Sequence, residues 1–317
     1  MKFSIIVPTY NRKDLLVRLY ESLLKLDFDS NRIELIIIDD GSSDGTAELL
    51  ASLETDARRT FSFKYRLQAN QGPAGARNTG IALARHDWIL FTDDDCLVSR
   101  HWVSAYAEQI ATFQKADLFH GPTITRRADV TMLTHQIDNA YGSINFPTCN
   151  VCYSKNLLER IGGFSIDFPY AHNEDAELAW RALSANAIPI FVPKAVVNHP
   201  SRKESLRKLW NRPKILASEF VLYQKHPEQY RRFRAANPLI NIYKNFFIIS
   251  QYYNLRLSIK RPYKPLLTIK SLALVIWWWC YCLTHLGEYL QLHKQTQSVL
   301  AQMSSDEEDA TNEKVSD

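Results

Sequence analysis

Short apolar runs alternate with segments of helical spacing over residues 1–91, and this alternation restricts the fold more than any other feature. The apolar runs predict buried strands, and the segments between them predict helices. Strands are expected at 3–7, 33–38, 61–67 and 88–91, and helices at 14–26, 46–53 and 74–84. This β-α alternation predicts an α/β fold with a mostly parallel sheet and helices on both faces.

A polar cluster follows each of the four predicted strands. In open sheets of this kind, ligands bind beyond the carboxyl ends of the strands. The clusters are Pro8-Thr9-Tyr10-Asn11, Asp39-Asp40-Gly41-Ser42, Asn70-Gln71-Gly72 and Asp93-Asp94-Asp95. We therefore expect one ligand site on a single rim of the sheet.

The triplet Asp93, Asp94 and Asp95 places three like charges within a few residues. A divalent cation with oxygen ligands relieves such repulsion, and carboxylates share these cations with the phosphates of nucleotides. An isolated acidic triplet is also compatible with a solvated turn. The triplet alone therefore leaves a metal site and a surface turn open.

Two further segments offer groups that suit a nucleotide. Asp39 and Asp40 can accept hydrogen bonds from a nucleobase or a ribose, or they can form a turn before a helix that starts at Asp44. The glycines near residue 75 deliver Arg77 to the opening turns of a helix, where an arginine suits a phosphate. An ordinary loop with a surface arginine is the alternative.

Taken together, the motifs over residues 1–200 resemble the inverting family 2 glycosyltransferases of GT-A fold. The resemblance rests on Val7-Pro8-Thr9-Tyr10-Asn11-Arg12, Asp39-Asp40-Gly41-Ser42-Ser43-Asp44-Gly45-Thr46, Gly72-Pro73-Ala74-Gly75-Ala76-Arg77-Asn78, the aspartate triplet, and Gly162-Gly163-Phe164 followed by Asn173-Glu174-Asp175. It implies sugar transfer from a nucleoside diphosphate, with UDP favoured, to an acceptor hydroxyl. It also implies a Mn²⁺ or Mg²⁺ ion on the diphosphate.

The resemblance assigns roles to the residues of the rim. Donor binding is implied for Pro8, Thr9, Tyr10, Asp39, Asp40, Arg77, Asp93 and Asp94. Asp95 is the implied metal ligand, and Asp-x-Asp spacing adds Asp93, although a run of three aspartates leaves this register open. His199 is a further metal or diphosphate ligand in this interpretation, because imidazole binds metals. Alternatively, His199 only ends a strand.

The resemblance also implies a general base at the start of a helix that faces the acceptor. Asp175 is the predicted base and Glu174 the alternative, since a carboxylate can take the proton of the incoming hydroxyl. Acids in a first helical turn also interact favourably with the helix dipole without any catalytic role. Cys149 and Cys152 form a CxxC pair without a second pair for zinc, and a buried strand is the better interpretation.

Composition changes after residue 200. Residues 200–270 contain 16 Lys and Arg against 3 Asp and Glu, with interspersed aromatic residues. This pattern suits the anionic face of a membrane, whereas no nucleic-acid motif accompanies it. The segment Ser271–Gly287 is uncharged and contains three consecutive tryptophans. It predicts a helix in the membrane interface with Lys260, Arg261 and Lys264 beside the phosphates; a single span and a core helix remain alternatives.

The sequence thus predicts a GT-A catalytic domain over 1–200, with a nucleotide-sugar part at 1–98 and an acceptor part at 99–200. A helical extension over 201–303, with a membrane-associating segment near 266–290, and a disordered acidic tail over 304–317 follow. With five cysteines and no signal peptide, we expect a cytoplasmic enzyme at the inner face of the membrane, with a lipid-linked or polysaccharide acceptor. A nucleotidyltransferase or an inactive sugar-nucleotide-binding module remains the alternative.

Overall fold

A computed structural model describes residues 1–253, 256 and 265–315 of the 317-residue chain. These residues form two compact units. The first comprises residues 1–130, 135–166 and 174–202, and the second comprises 131–134, 167–173 and the described residues from 203 onwards. Lys260, Arg261 and Lys264, which the sequence places beside membrane phosphates, lie outside the described residues.

The first unit is built around a seven-stranded sheet. Its strand order is β10-β6-β9-β4-β1-β2-β3, and the described pairings are parallel except for those of β9. The strands of the chain are β1 Phe3–Thr9, β2 Ile33–Asp39, β3 Ser62–Leu67, β4 Trp88–Phe91, β5 Leu97–Val98, β6 Leu118–His120, β7 Thr123–Ile124, β8 Thr134–His135, β9 Val151–Ser154, β10 Pro189–Phe191, β11 Val197–Asn198 and β12 Arg202–Lys203.

Amphipathic helices cover the sheet because the central strands are buried on both faces. In β2 every residue is buried, as expected of a parallel strand between two helical layers. The α-helices before residue 241 are α1 Lys13–Leu23, α2 Thr46–Glu54, α3 Gly72–Leu83, α4 Trp102–Thr112, α5 Lys155–Ile161, α6 Glu174–Ser184, α7 Leu206–Asn211, α8 Ser218–Lys225, α9 Pro227–Phe233 and α10 Pro238–Ile240. The predicted mostly parallel α/β fold is therefore confirmed.

The parallel register brings the strand ends to one rim. Thr9 pairs with Asp39 at the ends of β1 and β2, and β4 ends at Phe91, just before the aspartate triplet. Because β9 runs in the opposite direction, its first residue, Val151, pairs with Phe91. The residues before β9 therefore reach the same rim.

The buried strand predicted around Cys152 is confirmed as β9, all of whose residues are buried. Cys149 and Cys152 are both free and buried cysteines. They lie in the core cluster of the first unit rather than at its surface.

A small second sheet brings His199 to the triplet. It has the order β5-β11-β7, and β11 runs antiparallel to β5, with Asn198 opposite Leu97. Because β5 starts two residues after Asp95, this register carries the residue after Asn198 back towards the aspartates.

Two long helices and a ten-residue π-helix, Asn241–Ser250, form much of the second unit. The first long helix is Pro265–Thr284, here called the tryptophan helix, and the second is the C-terminal helix, Leu286–Val315. The C-terminal helix includes residues 304–315, for which the sequence predicts a disordered tail. Residues 316–317 lie outside the described residues.

Candidate active site

Asp94 is the most firmly held member of the aspartate triplet. Thr9 Oγ1 donates a hydrogen bond of 2.9 Å to Asp94 Oδ2, and Arg12 Nη1 donates one of 2.8 Å to Oδ1. Burial raises the pKa of Asp94 to about 6, although the charge of Arg12 opposes this shift. Asp94 therefore joins the end of β1 to the end of β4 and has little freedom to turn towards a ligand.

Asp95 lies among three basic side chains. Arg202 Nε is 2.7 Å from Asp95 Oδ2, Arg12 Nη1 is 3.5 Å from the same oxygen, and His199 Nε2 is 3.4 Å from Oδ1. Burial acts to raise the pKa of Asp95, but His199 and the two arginines lower it overall. The two arginines thus place positive charge beside this carboxylate, which is the environment expected of a carboxylate that stays ionised.

Arg77 connects the aspartate triplet to the predicted base. Its Nη2 lies 2.8 Å from Asp93 Oδ1, and its Nη1 lies 3.5 Å from Glu174 Oε1 and 3.9 Å from Asp175 Oδ1. The guanidinium is buried and lies over the ring of Phe164, 5.6 Å from its centroid. Arg77 is therefore a buried bridge between two acidic segments rather than a surface arginine.

Asp175 is oriented by Thr148, which precedes β9. The backbone N–H of Thr148 donates to Asp175 Oδ2 at 3.0 Å, and its hydroxyl donates to Oδ1 at 3.1 Å. The side chain of Asp175 is 25% exposed, compared with 9% for Glu174. Of the two acids, Asp175 is thus the one that an incoming hydroxyl can reach.

The pKa values of both acids are raised. Burial raises the pKa of Glu174 to about 7, with a further contribution from the negative charge of Asp175. Burial also raises the pKa of Asp175, against the opposing charge of Arg77. A carboxylate with a raised pKa is a stronger base than one in water, so the shift suits proton abstraction.

The residues expected to bind the nucleoside lie at the ends of β1 and β2. Asp40 accepts hydrogen bonds from Gln68 Nε2 at 2.8 Å, from Gln71 N at 2.9 Å and from Gly72 N at 2.8 Å, so it shapes the loop after β3. Asp39 accepts one from Ser42 N at 3.0 Å. Pro8 lies within β1, and Tyr10 is half exposed just beyond its end.

The residues present fit a divalent cation. The ligand atoms of Asp95, Cys96 and His199 all lie within 4.8 Å of one another. His199 is buried, and its Nδ1 has no hydrogen-bond partner among the described residues. Burial and the neighbouring Cys149 raise the pKa of the Cys96 thiol, so Cys96 remains neutral and the carboxylate and imidazole are the suitable ligands.

Three residues of this site were not assigned a role from the sequence. Arg12 was visible as part of the first motif, and Arg202 follows His199 by three positions, so both gave a local signal. Thr148 gave none, because its contact with Asp175 depends on the antiparallel direction of β9.

Comparison with known proteins identifies the family of the chain. The model of the family "Glycosyl transferase family 2" matches residues 4–168. The chain belongs to glycosyl transferase family 2. The resemblance drawn from the motifs is thereby confirmed, including the GT-A fold.

Among relatives of this family 2 protein is the UDP-Glc:alpha-D-GlcNAc-diphosphoundecaprenol beta-1,3-glucosyltransferase WfaP of Escherichia coli. It is 28% identical over 185 residues, which cover 57% of this chain and 70% of the relative. Two other curated relatives are matched over much less of their length. The uncharacterized glycosyltransferase YfnE of Bacillus subtilis is 38% identical over 26% of its length, and the GalNAc(5)-diNAcBac-PP-undecaprenol beta-1,3-glucosyltransferase of Campylobacter jejuni is 41% identical over 29% of its length.

Two solved structures share the fold at low sequence identity. Staphylococcus aureus TarS 1–349 in complex with UDP-GlcNAc superposes with a TM-score of 0.55 at 22% identity, over 70% of this chain and 66% of that one. The mannosyltransferase PcManGT from Pyrobaculum calidifontis, in complex with GDP-Man and Mn²⁺, has a TM-score of 0.55 at 20% identity. The match covers 94% of this chain and 82% of that one.

Proposed function

We propose that this protein transfers a sugar from a nucleoside diphosphate, with UDP favoured, to a hydroxyl of a lipid-linked or polysaccharide acceptor, with inversion at the anomeric carbon. The observation that carries the proposal is the buried bridge of Arg77. It ties the aspartate triplet on one side to Glu174 and Asp175 on the other. The residues proposed to bind the sugar donor and the proposed base therefore belong to one connected network.

The donor occupies the rim at the ends of β1, β2 and β4 in this proposal. Pro8, Thr9, Tyr10 and Asp40 line the nucleoside pocket, with Asp39 beside them at the end of β2. Asp40 already accepts three hydrogen bonds, which leaves one of the four acceptor positions of its carboxylate for a nucleobase or ribose group.

Asp95 and His199 would hold a divalent cation, Mn²⁺ or Mg²⁺, with Asp93 as a further candidate ligand. Such an ion would supply positive charge that stabilises the diphosphate leaving group. The single Arg77 contact of Asp93 leaves its carboxylate oxygens the most accessible of the triplet, with the side chain 20% exposed against 2% and 3% for Asp94 and Asp95.

Asp175 acts as the general base. As the acceptor oxygen attacks the anomeric carbon and the bond to the diphosphate breaks, the proton of the acceptor hydroxyl passes to an oxygen of Asp175. The two hydrogen bonds from Thr148 fix the direction of the carboxylate. Glu174, which is less exposed, keeps its place beside Arg77 and influences the pKa of the pair.

The acceptor class and the location at the inner face of the membrane rest on two observations. WfaP, by its name, acts on a diphosphoundecaprenol-linked sugar. The basic segment over residues 200–270 and the uncharged tryptophan segment after it favour a protein that works at an anionic lipid surface.

Asp175→Asn provides the decisive test. It should lower the turnover number by about 10²- to 10⁴-fold, because asparagine keeps the shape but accepts no proton. The thermal shift produced by UDP with Mn²⁺ should stay unchanged. A panel of nucleotide sugars, read by the same shift with and without EDTA, identifies the donor. Normal transfer by Asp175→Asn would refute the assignment of the base, and failure of every nucleotide sugar to bind would refute the function.

A further inference from the structure

The tryptophan helix packs on the second unit with one face only. Leu274, Val275, Trp278 and Cys282 are buried, and at 100° per residue they lie on one side of the helix. Leu274, Val275 and Trp278 share a core cluster with Met132 and Leu209 of the same unit.

Indole hydrogen bonds fix the helix in this position. Trp277 Nε1 donates to the carbonyl of Trp210, Trp278 Nε1 to that of Leu209, and Trp279 Nε1 to that of Phe247, each at 3.0 Å. The rings of Trp210 and Trp277 are stacked, with centroids 3.7 Å apart. The helix is long and apolar enough to cross a membrane, but a helix held to its own unit along one side is not surrounded by lipid.

The opposite face of the helix is exposed and apolar. Its exposed large apolar side chains recur every three or four residues and continue into the C-terminal helix. This set, here called the apolar stripe, comprises Leu266, Ile269, Leu272, Ile276, Trp279, Leu283, Leu286 and Leu290. Trp279 lies at the edge of the stripe, where its indole N–H reaches the carbonyl of Phe247. The chain has no Asp, Glu, Lys or Arg from Ser271 to Gly287. A helix on a water-exposed surface normally carries charged residues on its outer face, so this face is built for an apolar partner.

We propose that the apolar stripe lies in the interface of an anionic membrane, parallel to the surface. Charge complementarity selects this partner over a second copy of the chain. Residues 200–270 carry 16 cations against 3 acids, and exposed Lys270 and Lys294 flank the stripe one helical turn after Leu266 and Leu290. A second copy of the chain would bring the same excess of positive charge and be repelled. Anionic lipid headgroups instead neutralise the positive charge of this segment. Exposed tryptophan and tyrosine rings in this unit suit the headgroup level.

The inference deepens the proposed function, because it rests on an acceptor presented at a membrane. It adds a mode of attachment: the stripe enters one leaflet sideways while the buried face of the same helix stays on the protein. Attachment of this kind is reversible and depends on lipid charge.

Flotation of the full-length protein with lipid vesicles tests the inference. Vesicles of phosphatidylcholine mixed with phosphatidylglycerol are compared with vesicles of phosphatidylcholine alone. The variant Ile276→Ser with Leu283→Ser removes two stripe residues that are 57% and 59% exposed, so folding is not expected to suffer. Its partition onto the mixed vesicles should fall at least about tenfold. The matched control, Val17→Ser with Ile188→Ser, alters two exposed aliphatic residues of the first unit and should bind like the wild type.

A charge variant separates the electrostatic contribution. Lys270→Gln should weaken binding to the mixed vesicles by about fivefold and leave binding to phosphatidylcholine vesicles unchanged. Unchanged partition of the double serine variant would overturn the proposal. So would sedimentation showing a wild-type dimer that the same variant converts to a monomer, with no vesicle binding by either protein.

Donor binding is measured on the same samples without vesicles, as the thermal shift by each member of the nucleotide-sugar panel with Mn²⁺. Vesicle binding without a donor shift would refute the proposed function and leave the membrane surface standing. A donor shift without vesicle binding would refute the membrane surface and leave the proposed function standing.

Discussion

Arg202 Nε lies 2.7 Å from Asp95 Oδ2, on the carboxylate that is the proposed metal ligand. An arginine in this position supplies the positive charge that a divalent cation would bring, so the two compete for the same oxygen. The charge of Arg202 is one of the causes that lower the pKa of Asp95 despite its burial.

Arg202→Gln should therefore make the protein without metal less stable and make its response to metal larger. Loss of one partner of a partly buried ion pair costs about 1–3 kcal/mol in the free energy of unfolding. Thermal denaturation with increasing MnCl₂ should show a lower starting Tm and a greater rise than in the wild type. Arg207→Gln, at an exposed position, is the control. An equal rise in Tm for Arg202→Gln and the wild type would show that the arginine and the cation do not compete.

Thr148 is expected to influence catalysis through Asp175. Thr148→Val removes the 3.1 Å hydroxyl hydrogen bond to Asp175 Oδ1 and keeps the backbone one to Oδ2. Because the carboxylate then turns more freely, kcat should fall about tenfold, while KM for the donor stays the same. Thr148→Ser, which retains the hydroxyl, should restore kcat. A rise in the donor KM with normal kcat would instead assign Thr148 to donor binding.

Residues close to strand ends could be placed from sequence, because strand direction and burial are local properties. Thr9, Asp39 and the triplet follow apolar runs, and parallel pairing of the strands brings them to one rim. The ligand role of His199 was predicted from the resemblance to the family, whereas its position after a strand alone did not assign one. Its approach to Asp95 follows from the antiparallel pairing of β11 with β5.

Contacts between distant segments could not be placed in this way. Arg12 and Asp94 are 82 residues apart, Arg202 and Asp95 are 107 apart, and Thr148 and Asp175 are 27 apart. Each depends on the direction of a strand or loop that periodicity does not determine. Similarly, the hydropathy of Ser271–Gly287 predicted an apolar helix. Hydropathy does not show which face of that helix is buried and which is exposed.

The pH dependence of turnover should reflect the pair formed by Glu174 and Asp175. Burial raises the pKa of Glu174 to about 7 and also raises that of Asp175, so the pair retains a proton at pH values where ordinary carboxylates are ionised. A protonated base cannot accept a proton, so kcat should fall as the pH decreases through the raised pKa of Asp175, with a limiting slope of about tenfold per pH unit. Glu174→Gln removes a negative charge next to Asp175, so the fall of kcat at acid pH should move to lower pH. A flat kcat profile of the wild type down to about pH 4, where ordinary aspartates titrate, would contradict the assignment.

Glu34 should make stability depend on acid pH. It is fully buried in β2 and accepts hydrogen bonds from Ser4 Oγ at 2.6 Å, Arg85 N at 2.6 Å and Arg85 Nε at 2.9 Å. Burial acts to raise its pKa, but these hydrogen bonds and the charge of Lys64 lower it overall from 4.5 to about 2.

A pKa that is lower in the folded state stabilises the protein above the unfolded value and loses this effect as the pH falls. The contribution of Glu34 should therefore be complete above about pH 5 and disappear between about pH 4.5 and pH 2. It amounts to about 3 kcal/mol, since each pKa unit corresponds to about 1.4 kcal/mol. Urea denaturation at a series of pH values measures this loss, and Glu34→Gln should flatten its slope below pH 5. Glu54→Gln, an exposed acid of α2, should keep the wild-type slope, and an unchanged slope in Glu34→Gln would show that other carboxylates cause the acid sensitivity.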